Sequence, residues 1–228
     1  ITVVRLPLPD RMSPIERVMS TIGRVDLSLT DALHAGQSPR PYSVVVRPGA
    51  LDVVAFDDAI AMALLRGEPL ARIVTRIDRA DLSRDGPGDR VLRVAVETPT
   101  HFRVRGLYHI LPDIWHLFGG LQTRWDALGW PPLDPPDLRC VAVQLDCYRQ
   151  GKLGEHRGFM GVLWLDLLPL PEADQATLWT LARFGEYRGT GAHTSYGMGR
   201  LRVLARGERW EPGARLACWD PVSERRGS

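Results

Sequence analysis

Lysine is almost absent from this chain of 228 residues: of its 29 basic residues only Lys152 is lysine, and the other 28 are arginine. Arginine carries a rigid fork of donors that matches phosphate bidentately, which suits a nucleic-acid surface. A GC-rich genome produces the same bias, so it is not decisive alone. An excess of one charge is also lacking. With 27 acidic residues the formal net charge is +2 and the pI about 8.6, too mild to select a nucleic-acid partner by itself. Cysteine is scarce: Cys140, Cys147 and Cys218 form no C-x-x-C pair and are odd in number. That argues against a disulfide framework and a zinc site, and for a reducing compartment. No apolar run reaches the roughly 18 residues of a membrane span, so no membrane partner is expected. No signal-peptide pattern is visible, and the expected location is cytoplasmic. No Gly-Lys-Ser/Thr follows the glycines, which excludes a P-loop. No D-x-D or H-x-x-x-H spacing converges ligands, so neither a metal nor a cofactor is expected.

Glycine, by contrast, is concentrated where it can act. Gly189-Thr190-Gly191 and Gly197-Met198-Gly199 place two Gly-x-Gly pairs between an expected helix and an expected strand. Glycine admits positive φ and close backbone approach. A loop of this kind can aim several amide N–H groups at one phosphate. A tight structural loop has the same composition, and both readings stand at this point.

The element order is more informative. Ile1 to Leu6 reads as a strand, and Ser13-Pro14-Ile15-Glu16 as a capping box with proline at the first helical position. Ile15, Val18, Met19 and Ile22 make one helical face. Residues 43–47 and 51–56 read as a hairpin around Pro48-Gly49, and Asp57 or Asp58 caps a helix to about Leu65. Residues 72–77 and 91–97 supply further strands, so the first half reads β-α-β-β-α-β. The second half begins with a helix capped by Asp113, carrying Ile114, Leu117, Phe118, Leu121 and Trp125 on one stripe. Strands at 141–148 and 159–167, a helix over about 172–187 and a strand at 200–205 follow. The expected fold is α+β: two tandem ferredoxin-like (RRM-like, βαββαβ) domains, at 1–104 and 105–228.

Four blocks in order carry a family resemblance. They are Thr98-Pro99-Thr100-His101-Phe102-Arg103; Leu111-Pro112-Asp113 through Arg124-Trp125-Asp126; Gly158-Phe159-Met160-Gly161; and Gly189 to Gly199 behind Phe184-Gly185-Glu186-Tyr187. Together they resemble the CRISPR-associated precursor-crRNA-processing endoribonucleases of the RAMP superfamily, over about residues 98–205 and more weakly before them. The resemblance implies an enzyme that binds CRISPR repeat RNA and cuts it once per repeat to yield mature crRNA. The implied chemistry is metal-independent: the 2′-OH attacks phosphorus, leaving a 2′,3′-cyclic phosphate and a 5′-OH. Histidine suits the acid and base roles, and a cation suits the phosphorane.

By position in the family pattern, His34 is the expected general acid/base and Arg40 the phosphate stabiliser. The upstream tyrosine of some members has no counterpart; Ser20 and Thr21 are the hydroxyls nearest its place. Arg188, Gly189, Gly191, His193, Thr194, Ser195, Gly197, Gly199 and Arg200 are expected to bind RNA, with Arg103 and Arg124. Trp125 is expected in the core, His116 at the surface, and His101 and His156 carry no specific signal. The runner-up is a non-catalytic repeat-binding subunit of a CRISPR effector complex, which would add other effector subunits as partners. A third reading, a small-molecule enzyme, predicts a deep apolar pocket. Monomer and homodimer are both compatible with the sequence.

Overall fold

The computed structural model describes residues 1–9, 12–35, 40–84 and 89–210. Cys218 lies outside them. Contacts divide the chain into two units, residues 1–78 with 195–197, and residues 79–194 with 198–210 among those described.

The first unit runs β1 (Thr2–Pro7), α1 (Pro14–Gly23), α2 (Leu27–Ala35), β2 (Tyr42–Arg47), β3 (Ala50–Ala55), α3 (Asp58–Gly67) and β4 (Arg72–Arg76). Its antiparallel sheet has the order β2-β3-β1-β4, the ferredoxin-like order. The helix starts form as their side chains dictate. The Ser13 hydroxyl accepts from the Glu16 amide, and the Glu16 carboxylate accepts from the Ser13 amide. Asp57 caps α3 through the Ala59 amide. Pro48 and Gly49 make a two-residue turn that sets Arg47 opposite Ala50. Val4, Leu6, Val18, Ile22, Val53, Ile60 and Leu64 close the core between helices and sheet.

The second unit runs α4 (Asp81–Arg84), β5 (Val91–Thr100), β6 (Phe102–Val104), β7 (Leu107–His109), α5 (Ile114–Asp126), β8 (Ala142–Leu153), β9 (His156–Asp166), α6 (Glu172–Arg188) and β10 (Leu201–Val203). Its main sheet has the order β10-β5-β9-β8, again ferredoxin-like, and β6-β7 form a separate hairpin. Asp113 caps α5 through the Trp115 and His116 amides. Trp125 is buried as expected, its indole N–H on the Pro131 carbonyl at 2.8 Å and its ring edge-on to Trp130 and Phe184.

Both sheets match the expected fold class, but the division at 104/105 is not where the contacts divide. Residues 91–97, assigned above to the first half, belong to β5, the first strand of the second unit. Strand 72–76 already completes the first sheet at its edge. The apolar alternation of β5 is satisfied by β9 and β10 instead, with Val94 opposite Leu163 and Val203. Strand patterning states that a face must be covered, not which sheet covers it. Among the described residues no helix is long and apolar enough to cross a membrane.

Candidate active site and nucleic-acid interface

The glycine-rich segment begins as a helix terminus. α6 ends at Gly189, whose φ of 68° breaks the helix and whose amide donates to Gly185 at 2.8 Å. The chain then folds back on itself. Thr190 N–H donates to the Gly199 carbonyl at 2.7 Å, Ala192 N–H to His101 at 2.9 Å, and Gly199 N–H to Pro99 at 3.3 Å. A Cβ on Gly199 would lie 1.7 Å from the Thr190 carbonyl oxygen, and one on Gly191 2.5 Å from that of His101. Both positions demand glycine for packing as well as for their positive φ. The amides of Thr190, Ala192, Met198 and Gly199 are therefore spent on carbonyls, and an anion cannot draw on them.

Two arginines expected on RNA turn inward. Arg124, on α5, donates to the Gly191 carbonyl and to Gly120 at 3.3 Å, so it braces the glycine-rich segment. Burial lowers its pKa to about 10. Arg188 is only 2% exposed; burial, then the charge of Arg124, lowers its pKa to about 9. Thr194 and Ser195 are nearly buried as well. Arg103, on β6, is exposed, and Arg200 is ion-paired to Glu97 at 3.0 Å.

In the first unit His34 is exposed in the last turn of α2. Arg40 donates to the Tyr42 hydroxyl at 2.9 Å. That hydroxyl is fully buried, and burial raises its pKa against the opposing effect of Arg40. The Ser20 and Thr21 hydroxyls both donate to the Arg17 carbonyl within α1, at 3.2 and 2.7 Å. Tyr42 is thus the hydroxyl found beside Arg40. It is the first residue of β2, one position before the strand read from the sequence.

Three histidines converge in the second unit. The rings of His156 and His193 stack with centroids 4.0 Å apart, and His101 stands 5.4 Å from His193 and 5.8 Å from His156. The Nδ1 of His101 meets the Arg157 carbonyl at 2.9 Å. Burial lowers the pKa of His101, with that hydrogen bond opposing. Burial, then the charges of His156, His101 and Arg103, lowers His193 to about 4. His101 and His156 had no spacing pattern to find, because strand end, hairpin turn and loop bring them together. In a second group, His109, Asp113 and His116, the His116 Nδ1 meets the Asp113 carboxylate at 2.8 Å while that carboxylate caps α5. An open cleft of about 450 Å³ is lined by Val91, Val143, Trp164 and Leu168 among others, and by no residue of the glycine-rich segment. It lends no support to the small-molecule reading.

Residues 94–201, from within β5 to the start of β10, match the family of the CRISPR-associated endoribonuclease Cas6. That match spans just under half of the chain. No curated protein sequence matches it. Among solved structures, a Cas6 in a product complex aligns with TM-score 0.72 at 20% identity, over 90% of this chain and 99% of that one. Thermus thermophilus Cas6 aligns with TM-score 0.68 at 22% identity, over 89% and 98%. A RAMP protein described as binding different RNA substrates aligns with TM-score 0.54 at 12% identity, over 90% and 100%. At these identities the likeness establishes the Cas6 fold across nine-tenths of the chain.

Proposed function

We propose that this protein is a Cas6-type endoribonuclease that cleaves precursor CRISPR RNA within its repeats to release crRNAs. The observation that carries the reading is the Cas6 match over residues 94–201, on a chain whose fold follows that of a Cas6 in a product complex. In the proposed reaction the ribose 2′-OH loses its proton and attacks the adjacent phosphorus. The 5′-oxygen leaves and takes up a proton, giving a 2′,3′-cyclic phosphate and a 5′-OH. The nucleophile belongs to the substrate, so no metal-bound hydroxide is called for. His34 serves as general acid/base, a role its exposure permits. Arg40 stabilises charge on the phosphorane, oriented by the Tyr42 hydroxyl. His193, Arg103 and Arg200 contact RNA phosphates, while Arg124 holds the glycine-rich segment in shape.

Incubation of the protein with repeat RNA in EDTA tests the reading: a single cut with a cyclic-phosphate end is expected. His34→Ala should slow single-turnover cleavage by about 10²–10⁴ and leave RNA affinity within a few-fold. Tight binding without any cut by the unmodified protein would instead identify a repeat-binding subunit.

A further inference from the structure

We propose that His101, His156 and His193 form a binding site for one divalent transition-metal ion of the zinc class. Each ring offers a nitrogen, and the three nitrogens lie within 4.8 Å of one another. His101 supplies the observation that points to a ligand. It is 1% exposed, and its Nδ1 is held by the Arg157 carbonyl. That bond places the proton on Nδ1 and leaves the Nε2 lone pair bare, the arrangement by which proteins orient a metal-binding imidazole. Nε2 is buried without a hydrogen-bond partner. A lone pair shut away from water in this manner is costly unless something fills it.

Tetrahedral coordination with Zn–N bonds of about 2.0–2.1 Å sets nitrogens about 3.4 Å apart. The half-buried rings of His156 and His193 need close by only roughly 1.4 Å to reach that spacing. A set of three imidazoles selects zinc, cobalt, nickel or copper over magnesium and calcium, which require oxygen donors. It leaves one position for water or an anionic oxygen. The positive charge of Arg103, which reaches His193, opposes the ion and makes the site weaker than a closed structural one. Bound there, the ion ties the β8–β9 turn and the end of β5 to the glycine-rich segment. It acts as a staple on that segment, separate from the cleavage chemistry.

The test uses the untagged full chain without RNA, stripped by a chelator and titrated with Co(II). One saturable site with the visible bands of tetrahedral cobalt is expected, displaced by Zn(II), and the melting temperature should rise with metal concentration. His156→Ala, at the first residue of β9, should weaken binding at least tenfold with an unchanged circular dichroism spectrum. His116→Ala, in the neighbouring group, should leave it unchanged. Absence of a saturable site in the unmodified chain overturns the proposal, as does binding that survives His156→Ala or is lost in His116→Ala. None of these readouts depends on cleavage, so the nuclease reading stands or falls separately.

Discussion

Arg17 and Glu68 form a buried ion pair in the first unit. Their side chains are 4% and 10% exposed, and Arg17 Nη2 meets Glu68 Oε2 at 2.5 Å while Nε donates to the Pro7 carbonyl. Removing one partner leaves an uncompensated charge shut away from water. Glu68→Ala should therefore destabilise the protein by about 3–5 kcal/mol in urea unfolding. Asp52 behaves differently. Burial alone would raise its pKa, but hydrogen bonds from Arg5 and Arg47 outweigh burial and hold it below the ordinary carboxylate value. Its charged form is favoured by folding, so its contribution is present above about pH 3.9 and lost as pH falls through the depressed value. In acid titrations of melting temperature, Asp52→Asn should lower stability near neutrality and flatten the fall below about pH 4. Neither partner set was legible beforehand. Arg17 and Glu68 lie 51 positions apart, and only the packing of α1 against the end of α3 joins them.

At the scale of elements, the caps of α1, α3 and α5 were readable because each depends on residues within three positions of one another. The glycine-rich segment was readable as a loop, but not its purpose. Four glycines announce positive φ; they do not say which carbonyl the freed space receives. That distinction yields a prediction. Gly199 and Gly207 both have positive φ, 72° and 78°, but a Cβ at Gly207 meets nothing within 4 Å while one at Gly199 falls on the Thr190 carbonyl. Gly207→Ala should cost about 1 kcal/mol, the strain of the backbone alone. Gly199→Ala should cost about 3 kcal/mol or more and weaken RNA binding with it, as measured by urea unfolding and filter binding. Equal costs would show that the close approach is not limiting.

For the whole molecule, electrostatics sets what RNA binding can look like. The net charge is only +2, so affinity must come from local guanidinium groups on phosphates. Arg103 is exposed and Arg188 is enclosed. Arg103→Ala should weaken repeat-RNA binding and reduce the slope of log K against log salt by about 0.7, one single-strand phosphate contact. An unchanged slope would remove Arg103 from the interface. Charge inventory was visible in the sequence, whereas the direction each arginine faces was not. The sequence by itself determined α1, α3, α5 and α6, the 43–56 hairpin and the four family blocks, because caps, alternation and turns act over a few neighbouring residues. Tertiary structure alone decided that β5 opens the second sheet, that Arg124 braces the loop while Arg188 is enclosed, and that Tyr42 meets Arg40. It alone gathered His101, His156 and His193. Such matters turn on which buried surface, carbonyl or lone pair is nearest in space, and separation along the chain carries no record of that.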